Sequence, residues 1–467
     1  MASSPAWTAD FESSLDAVLE RATEKLPGVV VLAKRGDELY HKAFGLADRE
    51  SQLPMSVDTP FRMYSMTKVM TSALALLLRA RTGELSPEDP VSKYIPSFGR
   101  EWHVVEEAAG SSESVAVRNM ITGVTEQVAY SRRPASGPML VKHLMAESSG
   151  IGYDLFSDLD AAKGGTLGTK RGYSIASALR RQLCPTVYTS SCILGHDLTV
   201  EEFCEIIAKA GVLCTDPGVI SYGLGATVLG RIVEVVYARH YSAKPLRAIF
   251  KELLFEPLGM ETARFFDPDL ARQLPTLYGL AKEASDVQVL RAEKSVPALE
   301  PAYSNHSDHY SGPMKYDSGD TGSVMTVADY AKFLDCLLSG GLARDGKRVL
   351  PEEVVRSVLN DRHAGLSFDT GVGRMMGMSS EGAQFTMGWA NAPKQQAPRQ
   401  NYWSGYAGTH VRIYPEDGSY IIQGIQCMDH GGTGLVDQLL RTPVLKTFLD
   451  HWTAQEMDGG KRRKCEE

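Results

Sequence analysis

Ser65 and Lys68 form a Ser-x-x-Lys sequence, which occurs once in the 467-residue chain. Residues three apart in a helix lie on the same face, so the hydroxyl and the amine can meet. A serine acyl-enzyme requires such a pair, a nucleophile and the base that activates it. The alternative is that Ser65 only caps the following helix. Lys68 stands where a capping box has Glu or Gln, which favours the chemical interpretation.

The chain that follows Lys68 is strongly apolar and includes Val69, Met70 and Leu74. The lysine stem is therefore expected to be buried at the start of a helix. Burial and the positive end of the helix dipole both disfavour an ammonium ion. We therefore expect Lys68 to be a neutral, basic amine.

Two further segments could complete a serine site. Tyr222 lies in a glycine-containing turn before a helical pattern, where a proton-relaying phenol is one interpretation and a packed core tyrosine the other. Trp403, Ser404 and Gly405 open a late strand, and the backbone N–H of Tyr406 could point at an oxyanion. The alternative for this segment is an ordinary glycine-containing strand entry.

The charge balance limits the partners. With a net charge of -8 and a pI near 5.8, the chain has no basic footprint for nucleic acid or an anionic membrane. The N-terminus has no secretory signal pattern, and the longest apolar run, Val69–Leu78, is about half of the roughly 20 residues that span a bilayer. We expect a cytoplasmic protein that acts on small molecules.

Cysteines and histidines give no sign of a cofactor. The seven cysteines are odd in number and form no Cys-x-x-Cys pair, so reduced thiols are favoured over a disulfide framework. His306 and His309 are the closest histidine pair, with only Asp308 as a further candidate ligand. We expect neither a metal nor a cofactor.

Strand pairs near both ends of the chain predict an α+β fold. Gly28–Ala33 pairs with Glu38–Phe44, and Thr409–Tyr414 pairs with Ser419–Gln426, each around a tight turn. We expect both hairpins in one antiparallel sheet, with the first helix and the last, about Val436–Trp452, covering a face. Helical patterns fill the middle: Thr67–Arg81, Thr199–Lys209, Thr227–Ala238, Pro245–Phe255, Thr326–Leu338 and Pro351–Leu359.

The order of these motifs resembles the superfamily of class C β-lactamases and penicillin-binding proteins, in particular its esterase and acyltransferase branch. That branch includes the family VIII carboxylesterases and the lovastatin-type acyltransferases. The resemblance spans roughly residues 10 to 455 and is carried by Thr59–Lys68, Val141–Gly150, Tyr222–Leu224, Glu256–Met260 and Gly319–Thr326.

The resemblance implies a role for each site residue. It makes Ser65 the nucleophile, Lys68 its base partner and Tyr222 the proton relay, with the N–H groups of Ser65 and Tyr406 as the oxyanion hole. It implies a β-lactamase/transpeptidase-like fold in one catalytic domain. Its sheet-containing part would be residues 8–66 and 320–455, and its mainly helical part residues 67–319.

Two departures shape the expected substrate. Leu224 stands where many relatives have the Asn of Tyr-x-Asn, which keeps a non-catalytic descendant open as an alternative. Trp403-Ser404-Gly405 stands where β-lactamases have Lys-Thr-Gly, so the cation that would hold a substrate carboxylate is missing. The residues expected to contact the substrate are Trp403, Ser404, Gly405 and Trp389, with Trp403 as an apolar wall. Antibiotic hydrolysis is therefore disfavoured.

The predicted function is transfer of an acyl group from an ester or thioester to the alcohol of a small molecule, in secondary metabolism. The alternative is a carboxylesterase that hydrolyses small esters or lactones. An acyl-carrier protein is a further candidate donor. Loop-like segments at about Asp154–His196 and Pro297–Asp317 could roof the pocket and exclude water, which would favour transfer. The alternative is that they are surface insertions.

Overall fold

The structure is a computed structural model. It describes residues 9–118, 124–153, 172–183, 198–265, 273–283, 286–291, 317–360, 384–392, 399–428 and 434–451. The roof segments predicted from sequence, residues 154–196 and 297–317, lie mostly outside these ranges, as do His306, His309 and three of the cysteines, Cys184, Cys192 and Cys465.

A seven-stranded antiparallel sheet joins the two ends of the chain. Its strands are β1 (Val29–Arg35), β2 (Glu38–Phe44), β14 (Gln384–Phe385), β15 (Ala390–Ala392), β16 (Gln400–Ser404), β17 (His410–Tyr414) and β18 (Ser419–Gly424). They lie in the order β14-β15-β16-β17-β18-β1-β2. Each predicted hairpin is present, and β1 pairs with β18 to join them, which confirms the single sheet.

Alternate residues of the central strands enter two different apolar cores, as the pleat of a strand requires. Val29 and Val31 face a core with helix α1 (Ala9–Thr23) and the helical C-terminal segment 435–451. Val30 faces the larger core, which contains α2 (Thr67–Thr82) and α8 (Val327–Leu338). No bounds were predicted for α1, and the first helix with predicted bounds is Thr67–Arg81.

The region between residues 83 and 319 is helical only in part. Its described helices are α3 (Val141–Met145), α4 (Gly172–Leu183), α5 (Val200–Ala210), α6 (Gly225–His240) and α7 (Leu246–Phe250), the last continued by a π-helical turn (Lys251–Phe255). A four-stranded sheet that the sequence analysis did not predict lies beside them, with β6 (His103–Glu107), β7 (Ser114–Arg118), β8 (Thr125–Pro134) and β9 (Val212–Leu213) in the order β7-β8-β6-β9.

The prediction that residues 154–196 are loop-like is wrong for the part that the structure describes as a helix. Helix α4 lies within 154–196, and most of its side chains are buried against β6, β7 and β9. The boundaries predicted for the two halves of the domain stay a prediction.

The remaining described elements are short or peripheral. They comprise β3 (Leu46–Asp48), β4 (Leu53–Pro54), β5 (Phe61–Arg62), β10 (Arg264–Phe265), β11 (Tyr278–Glu283), β12 (Asp286–Arg291), β13 (Ser323–Met325), β19 (Cys427–Met428), α9 (Glu352–Asn360) and two 3-10 turns, Val91–Lys93 and Pro96–Gly99. Within the described residues, no helix is long and apolar enough to cross a membrane.

Candidate active site

Ser65 lies in a 3-10 turn, Tyr64–Met66, between β5 and α2. The N-cap position of α2 is occupied by Met66, which makes no side-chain capping bond, and not by Ser65. Tyr64 has a φ of +46°, in the left-handed region that residues with a Cβ rarely adopt. Such strain is held in place only where the surroundings impose it, and functional sites are where it concentrates.

Tyr222 contacts Ser65 from the turn before α6. Its hydroxyl hydrogen-bonds the Ser65 side chain, and the ring is buried. Burial raises the pKa of Tyr222, and this outweighs the charge of Lys68 and the hydrogen bonds from Ser65 and Trp403, which lower it. Tyr222 is therefore a neutral phenol at neutral pH, able to donate its proton while it accepts another.

Tyr153 is a second phenol in the site, one that the sequence analysis did not single out. Its backbone N–H donates to the carbonyl of Tyr222 over 3.1 Å, so the two residues lie side by side. The ring centroids are 5.6 Å apart, edge to face. The Tyr153 hydroxyl lies 3.3 Å from Nζ of Lys68, so it extends the polar cluster around the lysine.

Lys68 is fully buried, as its apolar neighbours predicted. Its Nζ donates to Oδ1 of Asp320 over 2.8 Å and to the Gly223 carbonyl over 3.0 Å, and lies 3.4 Å from Oε1 of Glu147. Nζ is also 4.8 Å from the centroid of the Tyr222 ring, the phenol bonded to Ser65.

The prediction that Lys68 is neutral is wrong. Burial is the largest single influence and lowers the pKa, but the charges of Asp320 and Glu147, with a smaller contribution from Tyr222, together raise it above its usual value. Lys68 is therefore an ammonium ion in the resting site. Sequence reasoning included the burial but not the carboxylates, which come from distant parts of the chain.

Asp320 is positioned by a close approach of backbones. The turn that carries it sits against α6, where a Cβ on Gly319 would lie 2.3 Å from the carbonyl oxygen of Ala226. Only glycine fits there. Asp320 and Glu147 both lie inside the stretches that carried the family resemblance, and an acidic residue among small and hydroxyl residues was the available signal.

Leu224 is buried in the main core and contributes no polar group to the site. Its backbone N–H donates to the Ile151 carbonyl over 2.9 Å, which fixes the Tyr222 turn. In a Tyr-x-Asn sequence the amide could be a polar partner of Lys68. Here Lys68 has Asp320, Glu147 and the Gly223 carbonyl as polar partners instead.

Trp403 is fully buried at the end of β16, and its indole N–H donates to the Tyr222 hydroxyl over 3.1 Å. The ring also packs edge to face on Phe385, with centroids 4.7 Å apart. The structure thus places Trp403 against the proposed relay residue, and its predicted contact with substrate stays a prediction. Trp389 is also fully buried, and it donates to the Val358 carbonyl over 2.9 Å.

The residues after Trp403 bring the end of β16 next to the Ser65 turn. Ser404 is buried, with Oγ 2.7 Å from Nδ1 of His410. A Cβ on Gly405 would lie 2.5 Å from the Met63 carbonyl oxygen, so only glycine permits this approach. The Tyr406 ring packs edge to face on Tyr64, with centroids 6.0 Å apart.

This packing brings the segment that carries Tyr406 into contact with the nucleophile turn. The pair of N–H groups predicted to form the oxyanion hole, those of Ser65 and Tyr406, thus belongs to two segments in direct contact. Their role stays a prediction. Among the residues that the structure describes, no group of three or more His, Cys, Asp or Glu side chains is placed to hold a metal ion, and the four buried cysteines form no disulfide.

Comparison with known proteins places this site in a family. The family model described as Beta-lactamase matches residues 15–426. Esterase EstB of Burkholderia gladioli is 25% identical over 370 residues, which cover 78% of this chain and 77% of that protein.

Two solved structures share the fold. EstCE1, described as a hydrolase with promiscuous acyltransferase activity, aligns with a TM-score of 0.61 at 20% identity and covers 93% of this chain and 98% of its own. The LovD9 mutant of simvastatin synthase from Aspergillus terreus aligns with a TM-score of 0.63 at 19% identity. The alignment covers 95% of this chain and 100% of that chain. These matches confirm the predicted α+β, β-lactamase/transpeptidase-like fold, and the chain belongs to the beta-lactamase family.

Proposed function

We propose that this protein is a serine acyl-enzyme that takes an acyl group from a neutral ester or thioester onto Ser65 and passes it to an alcohol. The observation that carries the proposal is the buried contact of Ser65 with Tyr222, whose hydroxyl also receives the Trp403 indole N–H. Lys68 lies over the face of the same phenol ring. A nucleophile, a proton relay and a charged lysine are thus in contact.

The chemistry follows from the roles of these groups. Oγ of Ser65 attacks the acyl carbonyl, and its proton passes to the leaving alcohol or thiol through Tyr222, with Lys68 as the base partner. The backbone N–H groups of Ser65 and Tyr406 stabilise the oxyanion. An incoming alcohol reverses these steps and removes the acyl group from Ser65.

Trp403 supports the choice of a neutral substrate. A lysine at this strand position would offer a cation to a substrate carboxylate. The indole N–H is uncharged, and the structure directs it to Tyr222. A carboxylate-bearing substrate such as a β-lactam gains nothing from this residue, whereas a neutral ester requires no counter-ion.

Hydrolysis is the second candidate, and a separate observation favours it: the relative EstB, which matches over most of both chains, is named an esterase. The fold neighbours LovD and EstCE1 support transfer through likeness of fold alone. A role in secondary metabolism and a cytoplasmic location remain part of the proposal, with an acyl-carrier protein as a candidate donor.

The test compares two p-nitrophenyl esters, the neutral butyrate and the carboxylate-bearing hemisuccinate, with and without an added alcohol. We expect faster turnover of the butyrate, and a new ester of the added alcohol if the protein is a transferase. Free butyric acid alone would identify the esterase. The proposal fails if the protein turns over neither ester, or if Ser65→Ala is as active as the wild type.

A further inference from the structure

Lys68 has no free electron pair in the resting site. An ammonium ion has three N–H donors and no acceptor. The three donors are matched by Oδ1 of Asp320 at 2.8 Å, the Gly223 carbonyl at 3.0 Å and the Tyr153 hydroxyl at 3.3 Å. Lys68 must therefore lose a proton before it can act as a base toward Ser65.

The two carboxylates beside Lys68 differ in how their oxygens are used. Asp320 is fully engaged, because Oδ1 accepts from Lys68 and Oδ2 accepts the Thr227 hydroxyl over 2.6 Å. Glu147 accepts the Gly223 N–H at Oε2 over 2.8 Å, but its Oε1 has no hydrogen bond although the side chain is 1% exposed. Oε1 keeps its ion-pair contact with Lys68, but a buried acceptor without a hydrogen bond is costly, so its presence requires an explanation.

The backbone holds Glu147 in this position. Its φ is +50°, in the left-handed region, and its carbonyl accepts the N–H of Ser221 over 2.7 Å. Strain of this kind persists only where the surrounding structure imposes it. The result is that the unbonded Oε1 lies 3.4 Å from Nζ of Lys68.

The groups around Glu147 place its titration in the neutral range. It is faced by Lys68 from α2 and by Asp320 from the turn before β13, and it also interacts electrostatically with Tyr222 before α6 and Tyr173 on α4. Burial is the main influence, and together with the charge of Asp320 it outweighs Lys68 and raises the pKa of Glu147 to about 7. This carboxyl can therefore exchange a proton at physiological pH.

We propose that Glu147 is a positioning residue that accepts, on Oε1, the proton that Lys68 must lose to become the base for Ser65. This inference rests on the proposed function. The N–H directed at the Tyr153 hydroxyl, the longest of the three contacts at 3.3 Å, turns to Oε1. That N–H bond breaks and one O–H bond forms on Glu147, which leaves a neutral amine and a carboxylic acid. Asp320 stays ionised and keeps the lysine in place.

The remaining steps restore the resting charges. The amine takes the Ser65 proton as the bond from Oγ to the acyl carbon forms. Lys68 then passes that proton through Tyr222 to the leaving alcohol or thiol, and Glu147 returns its own proton to Lys68. Activity therefore requires an ionised Glu147 at the start of the cycle, and it should rise with pH as this carboxyl loses its proton.

The experiment measures kcat/KM for p-nitrophenyl butyrate between pH 5 and 9, in the wild type, Glu147→Gln and Glu147→Asp. The wild type should show an acidic limb with a midpoint near 7. Glu147→Gln should lose that limb and fall by about 10²–10⁴-fold, as for the loss of a proton-transfer group. Glu147→Asp should keep the limb at a reduced rate.

A matched control separates the chemistry from folding. Glu234 is a second, largely buried glutamate with a raised pKa, caused mainly by burial, and it bonds the Leu246 N–H and Arg231. Glu234→Gln should alter thermal stability and leave the acidic limb in place. Thermal unfolding of every variant shows whether each one is folded.

The outcomes distinguish this inference from the function on which it rests. If Glu147→Gln keeps both the wild-type rate and the limb, Glu147 is not the proton acceptor, while the acyl-enzyme stands. If Ser65→Ala is as active as the wild type, the acyl-enzyme itself is refuted, and the inference with it.

Discussion

Replacing Trp403 with Phe tests whether the indole N–H supports the proton relay. The substitution keeps an aromatic ring beside Phe385 and removes the donor that lies 3.1 Å from the Tyr222 hydroxyl. In the resting site Tyr222 is a neutral phenol, so the lost bond is an ordinary one. In the transition state this oxygen exchanges a proton and gains negative character, and the same bond becomes stronger.

The magnitude follows from that difference. A neutral hydrogen bond contributes about 0.5–1.5 kcal/mol net, and one to a charged group about 1.5–3 kcal/mol. The transition state should therefore lose about 1–2 kcal/mol more than the resting enzyme. At about 1.4 kcal/mol per factor of ten, kcat/KM should fall about 5–30-fold.

The assay is steady-state turnover of p-nitrophenyl butyrate, with urea unfolding of the same samples. Trp102→Phe is the matched control, because Trp102 is also buried and donates its indole N–H to a backbone carbonyl, that of Phe98, over 3.0 Å. Both variants should lose stability, but Trp102→Phe should keep kcat/KM within about twofold of wild type, since it removes no bond to the relay. Equal losses of activity in the two variants would refute the role of Trp403.

Three further predictions concern the residues around the nucleophile. Tyr222→Phe should slow acylation by about 10²–10⁴-fold if the phenol relays the proton, and an unchanged rate in stopped-flow assays would remove it from the mechanism. Lys68→Met should abolish turnover and also lower the free energy of unfolding by about 3–5 kcal/mol, because Asp320 and Glu147 lose their buried counter-ion; a variant as stable as wild type in urea would contradict the ion cluster. The raised pKa of Glu147 means that the folded state binds this proton more tightly than the unfolded chain, so its contribution to stability is complete below pH 4.5 and is lost as the pH rises through about 7. Relative to Glu147→Gln, the wild type should lose about 3 kcal/mol between pH 4.5 and 7, and parallel stability curves for the two proteins would contradict this.

The sequence predicted the elements whose patterns are local. Both hairpins carry β-forming residues around a tight turn, and α2 and α6 show helical spacing, so each was found close to its observed bounds. Helix α1 was not located from the sequence, although Phe11, Leu15 and Leu19 follow one another at intervals of four. That spacing was the signal for an amphipathic helix.

The site was predictable only in part, because its energetics depend on contacts between distant residues. Ser65 and Lys68 are three residues apart and could be paired from sequence, whereas Asp320 is 252 residues from the lysine it binds. Without Asp320 and Glu147, burial alone gave the wrong charge on Lys68. Trp403 was predicted to contact the substrate because a tryptophan side chain can form an apolar wall of a pocket. Its indole N–H contact with the Tyr222 hydroxyl could not be predicted, because the two residues are 181 positions apart in the sequence.

The central claim is that Ser65 carries the acyl group. The most direct measurement is mass spectrometry of the Ser65 peptide after rapid acid quenching of the protein with p-nitrophenyl butyrate. The account predicts a butyryl increment on that peptide in the wild type, its absence in Ser65→Ala, and faster loss when an accepting alcohol is added. A wild-type protein that turns over the ester without any increment on Ser65, or an increment that persists in Ser65→Ala, would contradict it.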